Sequence, residues 1–199
     1  MPKPNSMRIS PKFRRGAFPK VLRREDMISI FEDRIKGWVI GPAQRLLERD
    51  PESGFAALAI ITTYFEMIAK YQGIDSVEPP ASIEPDSPTE RGTLFQNGFR
   101  AAFSAQNPPL NDRVPELYYL HVRNALYHAG FPGTKIAIDD TLSGPFRYSA
   151  DSSIALTLNP THIILAVRDH FERYIAELRA PTQNDLQIKF EKRFKLDNG

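Results

Sequence analysis

The sequence predicts a mainly helical bundle carrying a small β-hairpin just ahead of its last long helix. Apolar residues recur at intervals of three and four in five separate segments, the period of helices that bury one face. Strict apolar and polar alternation, the mark of half-buried strands, is confined to residues 134–159. With 199 residues, 41% hydrophobic and 25% charged, the chain has the make-up of an ordinary globular protein with one good-sized core. The expected organisation is a basic, flexible arm over 1–24, a helical domain over 25–180 and a tail or frayed helix over 181–199.

The elements follow in order. "REDMISIFEDRIKGWVI" places Met27, Ile28, Phe31, Ile35, Trp38 and Val39 on one stripe, predicting a helix near Asp26 to Val39. Gly41 and Pro42 are expected to interrupt it, with a short helical turn continuing to Asp50-Pro51. "SGFAALAIITTYFEMIAKYQG" is apolar on nearly every side, with Ser53 as N-cap and Gly73 as stop, and reads as the central buried helix. "IDSVEPPASIEPDSPTE" holds four prolines and reads as a long loop. "TERGTLFQNGFRAAFSA" is a third long helix, weakened by Gly92 and Gly98. After the loop "QNPPLNDRVP", Pro115 fits the first turn of a helix that Gly130 ends. "TKIAIDD" and "FRYSADSSIALTLN" flank a "TLSGP" turn and predict two or three short strands in a hairpin. In the last long helix Asn159 caps and Pro160 takes the first turn. Ile163, Ile164, Val167, Phe171, Tyr174, Ile175 and Leu178 form its buried stripe.

Charge is distributed unevenly. Residues 1–24 hold eight Lys and Arg and no acid, so the other 18 bases face 24 acids and the remainder of the chain is net −6. A basic arm interleaved with prolines can neutralise the phosphates of an RNA, with Arg14, Arg15, Arg23 and Arg24 as its candidate contacts; the plainer reading is a solvated tail. No apolar run reaches the roughly 18 residues of a membrane span. Cysteine is absent, which excludes disulfides and thiolate zinc sites, and the N-terminus lacks the apolar core of a signal peptide. No membrane association and a cytoplasmic location are the resulting expectations.

One stretch concentrates chemistry. "YYLHVRNALYHAGF", Tyr118 to Phe131, sets two histidines, an arginine and an asparagine among aromatic and aliphatic residues. At about 100° per residue, His121, Asn124 and His128 share one sector, while Tyr118, Val122, Ala125, Leu126 and Ala129 should face the core. Arg123 lies roughly 140° around from His128 by the same rotation, so either its reach closes the gap or a second protomer brings its own copy across a symmetry axis.

Within it, "RNALYH", Arg123 to His128, resembles the arginine, four residues, histidine motif of the HEPN superfamily (higher eukaryotes and prokaryotes nucleotide-binding). The polar residue after the arginine, the place of the motif in the second half of a helical bundle, and the long helices before and after it share in the likeness, over about residues 53–180. The resemblance implies a HEPN-like bundle that forms homodimers. Many members resemble metal-independent endoribonucleases, several of them toxins or defence effectors with a partner antitoxin. Others are non-catalytic modules that bind a nucleotide, RNA or a protein partner. The residue types suit RNA cleavage without a cofactor. An imidazole can accept or donate the proton, and a guanidinium can stabilise the crowded phosphorane. His128 is therefore the expected acid or base, Arg123 the phosphate clamp and Asn124 an orienting group. The bland alternative is a surface arginine and a helix-end histidine set against the negative end of the helix dipole.

Other candidates carry less. His121 is expected at an interface or in a supporting role, because its spacing from His128 is poor for a metal pair. Glu66 stands on a polar stripe with Thr62, Thr63 and Lys70, where an exposed pair with Lys70 competes with a role in orienting Arg123 or His128. His162 and His170 read as surface or groove residues of the last helix. Tyr118, Tyr119 and Tyr127 can stack bases, with packing the simpler use. "GTLFQNG" lacks the lysine of a phosphate loop, and no hydrolase elbow is present.

Overall fold

The structure, a computed structural model, describes residues 8–17, 21–74, 88–106, 110–182 and 184–198. It is mainly helical with a small three-stranded sheet. The first helical run does not break at Gly41-Pro42. Helix α1 (Arg24–Ile35) passes through a π-turn (Lys36–Ile40) straight into α2 (Gly41–Arg49). Proline inside an α-helix removes one amide and crowds the carbonyl four residues back. A π-turn shifts the bonding one residue further, and the Gly41 amide donates to the Lys36 carbonyl, so the helix absorbs Pro42 without ending.

Helix α3 (Gly54–Gln72) is the hub, packed on α2, α4 (Pro88–Ala102), α7 (Pro160–Leu178) and α8 (Asp185–Asn198). Ser53 precedes it but does not cap it; its hydroxyl donates to Asp50, whose carboxylate also accepts from the Glu52 amide. Gly73 ends the helix in the left-handed conformation at φ 65°. Gly98 is no weakness: a Cβ there would lie 1.9 Å from the Phe65 carbonyl oxygen, so its bare backbone lets α4 lie close on α3. Phe65, Phe95, Phe99, Phe103 and Tyr118 then form one aromatic cluster, with centroids from 4.7 to 6.1 Å apart. Most of the proline-rich loop expected after Gly73, and part of the loop after Gln106, lie outside the described residues.

The motif segment comprises α5 (Arg113–Tyr118), a second π-turn (Tyr119–Asn124) and α6 (Ala125–Ala129), closed by Gly130 at φ 75°. Strands β1 (Ile136–Ile138), β2 (Phe146–Tyr148) and β3 (Leu156–Leu158) follow in the order β1-β3-β2. The expected hairpin is therefore the antiparallel β2–β3 pair, with Phe146 opposite Leu158. The "TLSGP" turn joins β1 and β2, which do not pair; β1 runs parallel to β3 on its other edge. Phe146 carries the sheet onto the bundle, 5.3 Å from Phe99 and 4.6 Å from Phe103. Asn159 caps α7 by accepting from the His162 amide, and the predicted stripe from Ile163 to Leu178 is buried.

Of the tail or frayed helix expected over 181–199, residues 185–198 form a helix, α8, packed by the buried Phe190 and Phe194. Of the basic arm over 1–24, residues 8–17 and 21–24 are described, Arg24 already opens α1, and Ser10 is fully buried against α1. No helix among the described residues is long and apolar enough to cross a membrane.

Candidate functional site

The π-turn decides where the motif points. Bonding from residue i to i+5 admits an extra residue and breaks the uniform 100° step, so the faces assigned on an ideal helix shift beyond Tyr119. Tyr118 and Val122 are buried as expected, Ala125 and Leu126 are only half-buried, and Ala129 is exposed because the last turn runs out past the bundle. Upstream, α3 fixes the start of the segment. The Thr62 hydroxyl donates to the Leu58 carbonyl and meets the Tyr118 hydroxyl at 3.3 Å, and burial pushes the Tyr118 phenol well above its ordinary pKa, holding it neutral.

One turn along α3, Glu66 reaches Arg123. Arg123 Nε and Nη2 both donate to Glu66 Oε1, at 3.1 and 2.8 Å, so the carboxylate serves the arginine and forms no ion pair with Lys70 among the described residues. Arg123 Nη1 donates to Asn124 Oδ1 at 3.1 Å. The guanidinium also lies over the ring of Tyr119 at 5.6 Å and of Tyr127 at 5.1 Å. These tyrosines stand four residues before and after Arg123, the spacing that brings side chains together along a helix. A guanidinium has five N–H donors, and three are used here. The remaining two make no hydrogen bond with the described residues, and the side chain is 19% exposed; two donors are the number that a pair of phosphate oxygens takes.

His128 is exposed in the last turn and makes no hydrogen bond or ion pair with the described residues. Tyr127, over whose ring the Arg123 guanidinium lies, still stands about 100° around the helix from His128, and no hydrogen bond or ion pair joins the arginine to the histidine among the described residues. The same segment carries three exposed apolar side chains, Leu120 at 46%, Tyr127 at 56% and Phe131 at 75%. His121 is not part of this edge. Its carbonyl accepts from the Gly133 amide at 2.7 Å, and its ring fills the space where a Gly133 Cβ would stand.

The other histidines separate by burial. His162 is half-buried and lines a cavity of about 460 Å³ with Asn111, Tyr148 and Asp169. His170, read from sequence as a surface or groove residue, is buried: Nδ1 lies 2.7 Å from the Tyr64 hydroxyl, and desolvation lowers its pKa to about 4. Of the arm candidates, Arg14 and Arg15 are exposed. Arg23 is held by Asp26, and Arg24 by Glu191 and Gln187. Among the described residues no cluster of three or more His, Asp or Glu could hold a metal ion. The sequence reading missed the aromatic sandwich on Arg123, although the four-residue spacing was its signal. It left the partner of Glu66 open because that contact joins positions 57 apart. No protein-family model, curated protein or solved structure matches the chain.

Proposed function

We propose that the chain is a metal-independent endoribonuclease of HEPN type, acting as a homodimer. The observation that supports it is the state of Arg123: anchored by Glu66 and Asn124 and set against two tyrosines, it is partly exposed and keeps unused donors on the same segment as the exposed His128. In this reading His128 accepts the proton of the RNA 2′-hydroxyl as that oxygen attacks phosphorus. Arg123 donates to the phosphorane oxygens, and the bond to the 5′-oxygen breaks as that oxygen is protonated, leaving a cyclic phosphate and a free 5′-hydroxyl. The second protonation suits His128 of a second copy, and the exposed Leu120, Tyr127 and Phe131 supply apolar surface for that copy to cover. A role as a cytoplasmic toxin or defence effector, with an antitoxin partner, rests on the family likeness alone.

A second reading has one observation in its favour. The Glu66 carboxylate already neutralises Arg123, which suits a module that binds a nucleotide, RNA or a protein partner without cleaving. The test is RNA cleavage in the presence of a chelator. Arg123→Ala and His128→Ala should each lower the rate by at least about 100-fold, the exposed His128 variant with its thermal midpoint nearly unchanged. Cleavage surviving in both variants removes the motif from the mechanism; RNA binding without cleavage by the unmodified protein selects the second reading.

A further inference from the structure

Helix α7 carries two stripes. Beside the one that fills the core, His162, Leu165, Ala166 and Asp169 follow at the i, i+3, i+4, i+7 spacing of a second helical face. That face looks onto the cavity of about 460 Å³, bounded on its other sides by Leu110, Asn111 and Val114 at the entry to α5 and by the chain from Ser143 into β2. A Cβ on Gly144 would meet nothing within 4 Å, so the wall is open there. Cavities that hold small molecules run from about 300 to 1,000 Å³, and this one falls within that range.

Its lining divides by chemistry. Val114 is buried, and Leu110, Phe146 and Ala166 pack on the core, giving an apolar floor. Around that floor polar groups stand without partners. The ring of His162 and the hydroxyl of Tyr148, both on half-buried residues, and the Ser143 hydroxyl make no hydrogen bond with the described residues. Asn111 Oδ1 accepts from the Arg113 amide at 2.9 Å, which pins the side chain and leaves its NH2 group unused. Arg168 Nε and Nη2 both donate to Asp169 Oδ1, so Oδ2 stays unbonded. The backbone of β2 adds to these. The Asn159 amide donates to the Pro145 carbonyl and the Ser149 amide to the Ala155 carbonyl, so the alternate residues Phe146 and Tyr148 direct their own amides and carbonyls to the outer edge of the sheet. Partly buried polar groups with no protein partner are the ones a ligand satisfies.

Charge and donor pattern narrow the ligand. Among the described residues that line the cavity there is no Lys or Arg, and its one acid is Asp169, so a phosphate or carboxylate would find no cation and would meet a like charge. A carboxylate accepts well from the exocyclic amine of a base, an asparagine amide pairs with a ring nitrogen and the amine beside it, and an aromatic wall takes the flat face. We infer that this cavity binds an uncharged, amine-bearing nucleobase of the adenine kind, with Asp169 accepting from the amine, Asn111 and His162 meeting ring nitrogens and Tyr148 against the face of the ring. The site is independent of the nuclease reading, since neither Arg123 nor His128 lines the cavity. A free nucleoside and a base on an RNA strand present the same ring to it.

The test is isothermal titration calorimetry of the full chain with adenosine. One adenosine should bind per chain, and inosine, which would set a carbonyl oxygen against Asp169 in place of the amine, should bind at least about tenfold more weakly. Asp169→Asn, at an exposed position, should weaken adenosine about tenfold. Glu172→Gln, an exposed acid of α7 that does not line the cavity, should leave the affinity within about twofold. Adenosine 5′-monophosphate should bind no more tightly than adenosine. The assignment fails if adenosine does not bind at millimolar concentration, if inosine matches it, if the monophosphate exceeds it, or if the two variants behave alike. A 2′-O-methyl oligoadenylate that binds at least about tenfold more tightly than adenosine, and is weakened equally by Asp169→Asn, supports the site with a strand as the source of the base. Adenosine binding with no such gain supports it with a free nucleoside as the source.

Discussion

His170 shows how one buried imidazole ties stability to pH. It packs where α7 meets α3, its Nδ1 at 2.7 Å from the Tyr64 hydroxyl and its Nε2 at 3.5 Å from Gln72 Nε2, with Arg173 the charge that also disfavours protonation. Its folded pKa of about 4 lies below the ordinary 6.5, so between these values the unfolded chain binds a proton that the native one refuses. The contribution is whole above about pH 6.5 and is lost as pH falls toward 4. Going from pH 7 to 4.5 should cost the wild type roughly 2 kcal/mol more unfolding free energy than His170→Gln loses. Urea titrations of both proteins at the two pH values measure this, and equal losses would show the imidazole to be indifferent. At the same scale, the motif residues were legible because RNALYH is contiguous. The burial of His170 was not, because "VRDHFE" surrounds it with charges that the helix turns outward while His170 turns in with Val167 and Phe171.

At the scale of elements, close backbone approach explains what residue statistics mislead about. Gly98 in mid-helix looks like a weak point, and Gly98→Ala would gain about 1 kcal/mol of helix propensity. The added Cβ, however, would lie 1.9 Å from the Phe65 carbonyl oxygen and 3.3 Å from the Ala69 Cβ, so α4 must move off α3. Overpacking of that kind costs about 1–3 kcal/mol, and here backbone rather than a pliable side chain is struck, so sterics should win. A net loss of about 1–2 kcal/mol, the upper part of that difference, is expected in chemical denaturation, against a change within about 0.5 kcal/mol for Gly144→Ala, which has open space around it. The two π-turns are the other feature hidden from periodicity. One carries the chain through Gly41-Pro42 where a break was expected; the other re-aims the segment that bears Arg123. Helix periods assume a constant step, and an inserted residue betrays itself only through its packing partners.

At the scale of the molecule, the two chain ends are joined across α1. Arg34 links the Ile9 carbonyl of the arm to Asn198 of α8, and Arg24 links the start of α1 to Gln187 and Glu191. Helix α8 reads as a tail or a frayed helix because charged residues crowd "DLQIKFEKRFKLDN", and its stripe of Leu186, Phe190 and Phe194 at a spacing of four is blurred by Ile188 and Leu196 off that face. Those two rings nevertheless close the core. Phe190 lies 5.4 Å from Phe31 and 5.7 Å from Tyr71, Phe194 lies tilted 5.8 Å beyond it, and Gln187 donates to the carbonyls of Leu178, the last residue of α7, and of Ala180 just after it. If α8 were an appendage, truncating its aromatic residues would change stability by no more than a surface substitution does. Because Phe190 is fully buried between α1 and α3, Phe190→Ala should instead cost about 3–5 kcal/mol, moving the urea midpoint at an unchanged slope. Leu196→Ala, two residues beyond Phe194 and 73% exposed, should stay within about 0.5 kcal/mol. Since Arg34 holds both α8 and the arm, loosening the helix should also free residues 8–16. Faster hydrogen exchange at the Lys12 and Phe13 amides of the Phe190→Ala protein would register that coupling.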